Sequence, residues 1–334
     1  MFDTHSEYRD PIRIGLVGAG AISQQSYLPV LERVPGIILT SIVDIDPEVL
    51  DDLAKRFSLE YLGPDLNQCL AHIDAAIVAT PNHLHFPLCK TLLAAGKDVL
   101  CEKPITTTSD QCRQLIDLAD ACSLKLAVSH ARRFYRATQR IKQIIDGHEL
   151  GSLISFELIE GTIFSWPTVS GFIFDREQSG GGVLIDMGVH LLDLLLWWYP
   201  REIVHLNYQD DCLGGVEAYS KIEIGFSDGI KGTVKISRIS VLRNLYTLHF
   251  EKGSVEWNPY YPKTLYLLRG HDRPIRLITP RKEDPMRSLI SDFIHAIQHD
   301  HEPFIPAQDT LNVIQLIERC YQTREKLSLE WLDK

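Results

Sequence analysis

The apolar run Ile12 to Val17 leads without a break into Gly18-Ala19-Gly20-Ala21-Ile22-Ser23, where a helical pattern opens. Strand, glycine turn and helix in that order leave few options, because the chain must reverse tightly and pack the helix back on the strand. Gly18 permits the turn, and Gly20 lets the backbone approach a pyrophosphate seated on the helix N-terminus. Ala21 and Ile22 then open the helix, and Ser23 stands where a third glycine is usual, small enough to be tolerated. In isolation a Gly-x-Gly pair marks only a turn. Here Asp44 closes the next apolar run, Ile37 to Val43, 26 residues beyond Gly18. A carboxylate at that place accepts hydrogen bonds from ribose hydroxyls and repels a 2′-phosphate. No arginine directly follows it, so NAD(H) is expected in preference to NADP(H).

The rest of the first third repeats the pattern. Ala75 to Ala79, Asp98 to Cys101 and Lys125 to Ser129 read as further short buried strands. A helix is expected from about Phe86 to Ala95, closed by Gly96. Thr108-Ser109-Asp110-Gln111 has the form of a capping box, and Leu115, Leu118, Ala119 and Cys122 continue at helical spacing. From about Gly151 the period changes. Leu153 to Phe164, Val216 to Phe226, Ile230 to Ile239, Leu245 to Phe250 and Thr264 to Leu268 read as longer alternating strands. Ser227-Asp228-Gly229 and Lys252-Gly253-Ser254 serve as turns, and helices are expected at Val183–Tyr199, Ser288–Gln298 and Thr310–Glu325. The fold class predicted is α/β: an N-terminal Rossmann dinucleotide-binding domain over residues 1–134, and a C-terminal α/β domain over 135–334 with an open, mostly antiparallel sheet.

Composition narrows the partners. A net charge of −10 argues against nucleic acid or an anionic membrane, either of which usually leaves a basic footprint. Seven cysteines, an odd number with no Cys-x-x-Cys pair, imply neither a disulfide framework nor a thiolate zinc site. Reduced thiols and the polar opening Met1 to Pro11 point to the cytoplasm. Val183 to Tyr199 is the longest apolar stretch, but Asp186, His190 and Asp193 interrupt it and make it a poor membrane span. His295, His299 and His301 lack a supporting carboxylate pattern, so no metal site is expected.

Three segments carry the chemistry. Ala79-Thr80-Pro81-Asn82-His83-Leu84-His85 and Glu102-Lys103-Pro104 both fall at strand ends, where open α/β sheets bind ligands. Proline disfavours helix at the preceding residue, so Lys103 is expected to be extended with its ammonium aimed outward. The third is Gly180-Gly181-Gly182 and the helix after it, where Asp186, His190 and Asp193 share one face while the others are apolar. Buried charges of that kind need partners or a cavity; the plainer reading is a polar stripe that meets solvent. Arg132, Arg136 and Arg140 read as a solvated helical stripe, with contacts to an acidic substrate as the alternative.

The glycine loop, Ala79 to His85, Glu102-Lys103-Pro104 and Gly180 to His190, in this order and spacing, resemble the Gfo/Idh/MocA family of glucose–fructose oxidoreductase and inositol dehydrogenase. The resemblance covers nearly the whole chain. It implies catalytic roles for Lys103, Asp186 and His190, and it places Thr80, Pro81, Asn82, His85 and Glu102 beside the cofactor with Lys103. It also implies a small polyhydroxylated substrate (a sugar, a cyclitol or a related polyol) and a homodimer or homotetramer formed through the C-terminal sheet. Many relatives carry asparagine near the position of His130, so Ser129-His130-Ala131-Arg132-Arg133-Phe134 departs from the pattern. Trp166, Tyr260 and Tyr261 either stack on a sugar ring or pack in the protein.

Residue chemistry agrees with a hydride transfer at a carbinol or ketone carbon. Neutral His190 suits the hydroxyl proton near pH 7, Lys103 would stabilise alkoxide character, and Asp186 would orient the substrate or tune His190. Histidine and lysine can exchange the first two roles. The same fold also serves NAD-dependent glycoside hydrolases and non-catalytic ligand-sensing regulators, which remain alternatives at this point.

Overall fold

The structure is a computed structural model that describes residues 10–167, 170–212, 215–269, 273–278 and 283–327. Of the polar opening, Met1 to Arg9 lies outside these residues.

Six short parallel strands build the first sheet: β1 (Ile12–Val17), β2 (Ile37–Val43), β3 (Tyr61–Gly63), β4 (Ala75–Val78), β5 (Asp98–Cys101) and β6 (Leu126–Val128). Their order is β3-β2-β1-β4-β5-β6. Apart from β3, each lies where an apolar run predicted it. The order reverses between β1 and β4, and the crevice outside the carboxyl ends there is where such sheets hold a ligand. Thr108 caps the helix Ser109–Cys122 by accepting from the Gln111 N–H, so that half of the capping box forms. The other half does not, because Gln111 Oε1 accepts from the Thr107 hydroxyl instead.

The second sheet runs through β7 (Leu153–Gly161), β8 (Ile203–Asp210), β9 (Tyr219–Phe226), β10 (Lys231–Ser237), β11 (Leu245–Phe250), β12 (Gly253–Trp257), β13 (Thr264–Leu268), β14 (Ile275–Ile278) and β15 (Arg324–Lys326). Its order is β14-β13-β12-β11-β7-β10-β9-β8-β15, antiparallel except where β7 meets β10 and β8 meets β15. The expected turn at Lys252–Ser254 is corrected: Phe250 pairs with Gly253, so Glu251 and Lys252 make the turn and Gly253 starts β12.

Each sheet has its own apolar core. The first gathers Ile14, Leu16, Ile77 and Leu100, and residues from the trailing helices Pro285–His299 and Ala307–Gln322 join it, among them Leu289, Phe293 and Ile314. The second packs one face of the large sheet against the helical stretch Leu184–Gly188 and Val189–Trp198. By length and composition the helix Arg176–Trp198 would be apolar enough to cross a membrane, but 72% of that window is buried inside the protein. The open face of the large sheet is polar, with Lys235 paired to Glu157 and Lys221 to Glu223.

Candidate active site

All sequence-predicted site residues of the first sheet gather at its carboxyl edge. Gly18 has φ +91°, and a Cβ there would lie 2.5 Å from the Ala79 carbonyl oxygen, so the loop closes only with glycine. A Cβ on Gly20 would meet nothing within 4 Å, which leaves open space over the helix N-terminus. Ser23 does more than fit: its hydroxyl donates to the Gly18 carbonyl at 2.5 Å and fastens the turn. Asp44 Oδ2 accepts from the Ala19 N–H at 2.6 Å, and its Oδ1 from the Asp46 N–H at 2.9 Å. That carboxylate therefore shapes the loop. Thr80 Oγ1 is buried beside this turn without a partner among the described residues. An open cradle, an orphaned hydroxyl and a carboxylate at the end of β2 fit a dinucleotide.

His85, expected beside the cofactor, is fully buried. Its ring contacts the Thr80 carbonyl at 2.8 Å and the Pro104 carbonyl at 2.7 Å, tying the two loops together, and burial pushes its pKa down. Asn82 donates to the Ser179 carbonyl at 2.8 Å and joins this edge to the glycine run. Glu102 is held by the Tyr27 hydroxyl at 2.6 Å and accepts from the Lys103 N–H at 3.0 Å. The Lys103–Pro104 peptide is cis.

Lys103 reaches across to the second core. Its ammonium donates to Asp186 Oδ1 at 3.2 Å and to the Asp186 main-chain carbonyl at 2.9 Å. The helix does not begin as a regular coil there. Leu184–Gly188 is a wide π-type turn, a break in the regular ladder that recurs at functional sites. Glu217 holds its start, accepting at Oε1 from the Gly182 and Leu184 N–H groups and from the Tyr321 hydroxyl. Gly181 and Gly182 are needed because a Cβ on either would lie 2.0 Å from Tyr321 or from the Glu217 carbonyl.

His190 is partly exposed, with Nδ1 buried and unpartnered, so Nε2 is the nitrogen that reaches the cleft. Burial holds its imidazole well below the usual value, helped by the charges of Arg132 and Lys103 and by His130. The ring is therefore neutral at pH 7 and able to take a proton. Asp193, the third polar group of that helix, does not face the cleft; it is buried against Arg133 at 2.7 Å.

The arginine stripe is also corrected. Arg132 lies in the turn Ala131–Phe134 before the helix Arg136–Asp146 begins, and it forks onto Glu160 at 2.7 and 2.8 Å and onto the Tyr246 hydroxyl. Burial works against both charges, yet the fork more than offsets it, raising Arg132 and lowering Glu160. Tyr260, half-exposed, lies near enough to be affected by both. Arg140 does meet solvent, paired with Glu149. Among the described residues, no group of His, Cys, Asp and Glu is placed to hold a metal.

Residues 12–130 match the model of the oxidoreductase family with an NAD-binding Rossmann fold, and residues 138–256 match that family's C-terminal domain. The chain belongs to the Gfo/Idh/MocA family. Its relatives include D-xylose 1-dehydrogenase [NADP(+)] of Haloarcula marismortui, 22% identical over 97% of this chain and 94% of that protein. Inositol 2-dehydrogenase of Rhizobium meliloti is 24% identical over 93% and 96%. Among solved structures, aldose-aldose oxidoreductase from Caulobacter crescentus, complexed with glycerol, superposes with a TM-score of 0.85 at 21% identity, covering 94% of this chain and 97% of that one. Levoglucosan dehydrogenase with NADH and levoglucosan gives 0.84 at 20% identity, covering 94% and 97%.

This Gfo/Idh/MocA protein is an NAD(P)-dependent oxidoreductase, with the Rossmann sheet and the second, mixed sheet of that family. Tyr27, Glu160, Tyr246 and Glu217 were not found by sequence reasoning. Their partners are 28 to 114 residues away in sequence, and none stands in a motif; only the Arg132-Arg133 doublet after a strand end hinted at buried charge.

Proposed function

We propose that this oxidoreductase interconverts a carbinol and a ketone on a neutral sugar, cyclitol or related polyol, with Lys103, Asp186 and His190 at the reacting carbon. One observation carries the reading: the Lys103 ammonium from the first sheet rests on Asp186 at the start of the helix that presents neutral His190. A nicotinamide dinucleotide, when bound, supplies hydride acceptance or donation. The dinucleotide would be held by Gly18, Gly20, Ala21 and Ile22, by Asp44 at the ribose, and by Thr80, Pro81 and Asn82, while Glu102 and His85 keep those loops in place. NAD(H) is favoured over NADP(H), because the Asp44 carboxylate at the end of β2 would repel a 2′-phosphate. His190 Nε2 holds the hydroxyl proton, and Lys103 donates a hydrogen bond to the same oxygen as it gains negative charge. Asp186 keeps the ammonium in place and offers its second oxygen to a neighbouring hydroxyl.

The relatives' names support a polyhydroxylated substrate. Residues 1–134 are taken as the cofactor unit and 135–334 as the substrate and assembly unit. The open face of the second sheet would join two or four copies in the cytoplasm.

A panel of aldoses, polyols, cyclitols and keto-sugars, followed by nicotinamide absorbance with each cofactor, tests the reading. Net reduction of NAD by a free sugar or cyclitol is expected. Lys103→Ala and His190→Ala should each lower kcat by roughly 10²- to 10⁴-fold. Near-normal turnover in both would sink it.

A further inference from the structure

His130 takes no part in the scheme above, yet its situation is costly. It follows β6 at the carboxyl edge of the first sheet, its side chain is 0% exposed, and neither ring nitrogen has a hydrogen-bond partner among the described residues. Buried polar atoms are rarely left so, and an orphan of this kind calls for an explanation. Two groups stand beside it. Asp193 Oδ2 lies 3.7 Å from Nδ1, and the His190 ring meets it edge-on, with centroids 6.3 Å apart and planes at 88°. His190 presents a buried, unpartnered Nδ1 of its own. From the cleft inward the order is His190, His130, Asp193.

The electrostatic surroundings keep both rings uncharged. Burial is the main cause at His130, whose pKa is pushed down to about 4; Arg133, Lys103 and Arg132 add to the effect and Asp193 opposes it. His190 faces Arg132, Lys103 and His130. A neutral histidine that takes a proton at Nε2 must already carry one on Nδ1. That N–H needs an acceptor, and no atom of the described residues provides one.

We propose that His130 is the acceptor: its imidazole takes the hydrogen bond from His190 Nδ1–H, through a small ring rotation or one bridging water, and turns its own N–H toward Asp193. His130 is thus a positioning residue. It sets the tautomer of His190, as the carboxylate does in a serine-protease triad, but with one imidazole interposed. Asp193 is suited to the far end because Arg133 already fixes it through both oxygens, at 2.7, 3.1 and 3.2 Å. The proposal rests on His190 being the proton acceptor.

Long-range ¹H–¹⁵N spectra of the histidine-labelled, cofactor-free protein read the tautomer without turnover. His190 is expected in the Nδ1–H form. In His130→Phe it should move toward Nε2–H, kcat should fall roughly 10- to 1,000-fold with little change in KM, and the acid limb of the kcat profile should shift to lower pH, because imidazolium loses its acceptor. His130→Asn, whose Oδ1 can accept, should restore the tautomer and most of the rate. A packing role alone would leave the tautomer and the limb where they are. An Nε2–H form in the wild type, or an unchanged tautomer in His130→Phe, overturns the proposal. If His130→Phe fails to fold, the wild-type and His130→Asn spectra decide. Retained turnover in His190→Ala, by contrast, would overturn the catalytic scheme and not the tautomer assignment.

Discussion

Asp186 and Asp193 lie on one helical stretch, and each meets a cation contributed by the first part of the chain, yet the two pairs differ in nearly every physical respect. Lys103 and Asp186 share one carboxylate contact at 3.2 Å, with side chains 18% and 26% exposed. Arg133 forks onto Asp193, takes Asp309 as well at 2.7 Å, and is sealed, the side chains of Arg133 and Asp193 being 2% and 1% exposed. Water screens the first pair and leaves the lysine able to exchange its partner for a substrate oxygen. The second pair has no such alternative, because either charge alone would be stranded in a dry interior. One pair is built to be interrupted and the other to hold the helix while that happens.

The contrast is testable, most sharply by truncation. Asp193→Ala should lower stability by about 3–5 kcal/mol in urea unfolding, while Asp186→Ala should stay within about 1 kcal/mol. Equal losses would break the comparison. Between the two pairs lie His190 and His130, both depressed by burial. The unfolded chain binds protons below its histidine pKa of about 6.5, whereas these two do not until lower pH. Stability is therefore full above that value and lost as pH falls, by about 1.4 kcal/mol per pH unit for each histidine. For His130 the loss continues down to about 4. Urea midpoints between pH 7 and 4.5 should show the slope, and His130→Asn should flatten it; an unchanged slope would place the charge elsewhere. Joint removal of the buried pair should cost less than its truncation: Arg133→Met with Asp193→Leu should recover stability to within about 2 kcal/mol of wild type. A larger residual loss would mean that the fork is itself a net stabiliser.

How much of this was legible depended on whether the physics is local. β1, β2 and β5 lie where their apolar runs begin and end, because a strand buried on both faces must be continuously apolar. Tyr61–Gly63 is too short for a periodicity to register, and Arg324–Lys326 is wholly charged and pairs only along an edge. Ile203–Asp210 mixes His205, Asn207 and Gln209 into a face turned away from the core, so its alternation is not apolar enough to stand out. Lys103, Asp186 and His190 were visible as motifs. The fork of Arg132 on Glu160 and the Glu217 clasp were not, since nothing in a short window tells which distant carboxylate will meet a given cation.

The trailing helices have a consequence for the order of assembly. Leu289, Phe293 and Ile314 complete the apolar interior of the first sheet, and the Val128 N–H donates to the Ile305 carbonyl along the free side of β6. During synthesis the opening third leaves the ribosome with that flank uncovered and its interior unfinished. It stays so while the entire second sheet up to β14 is made. Exposed strand flanks of this kind invite pairing with other chains. The nascent oxidoreductase is therefore most vulnerable to aggregation just before the helices Pro285–His299 and Ala307–Gln322 emerge, and a chaperone that shields β6 until then would raise its yield.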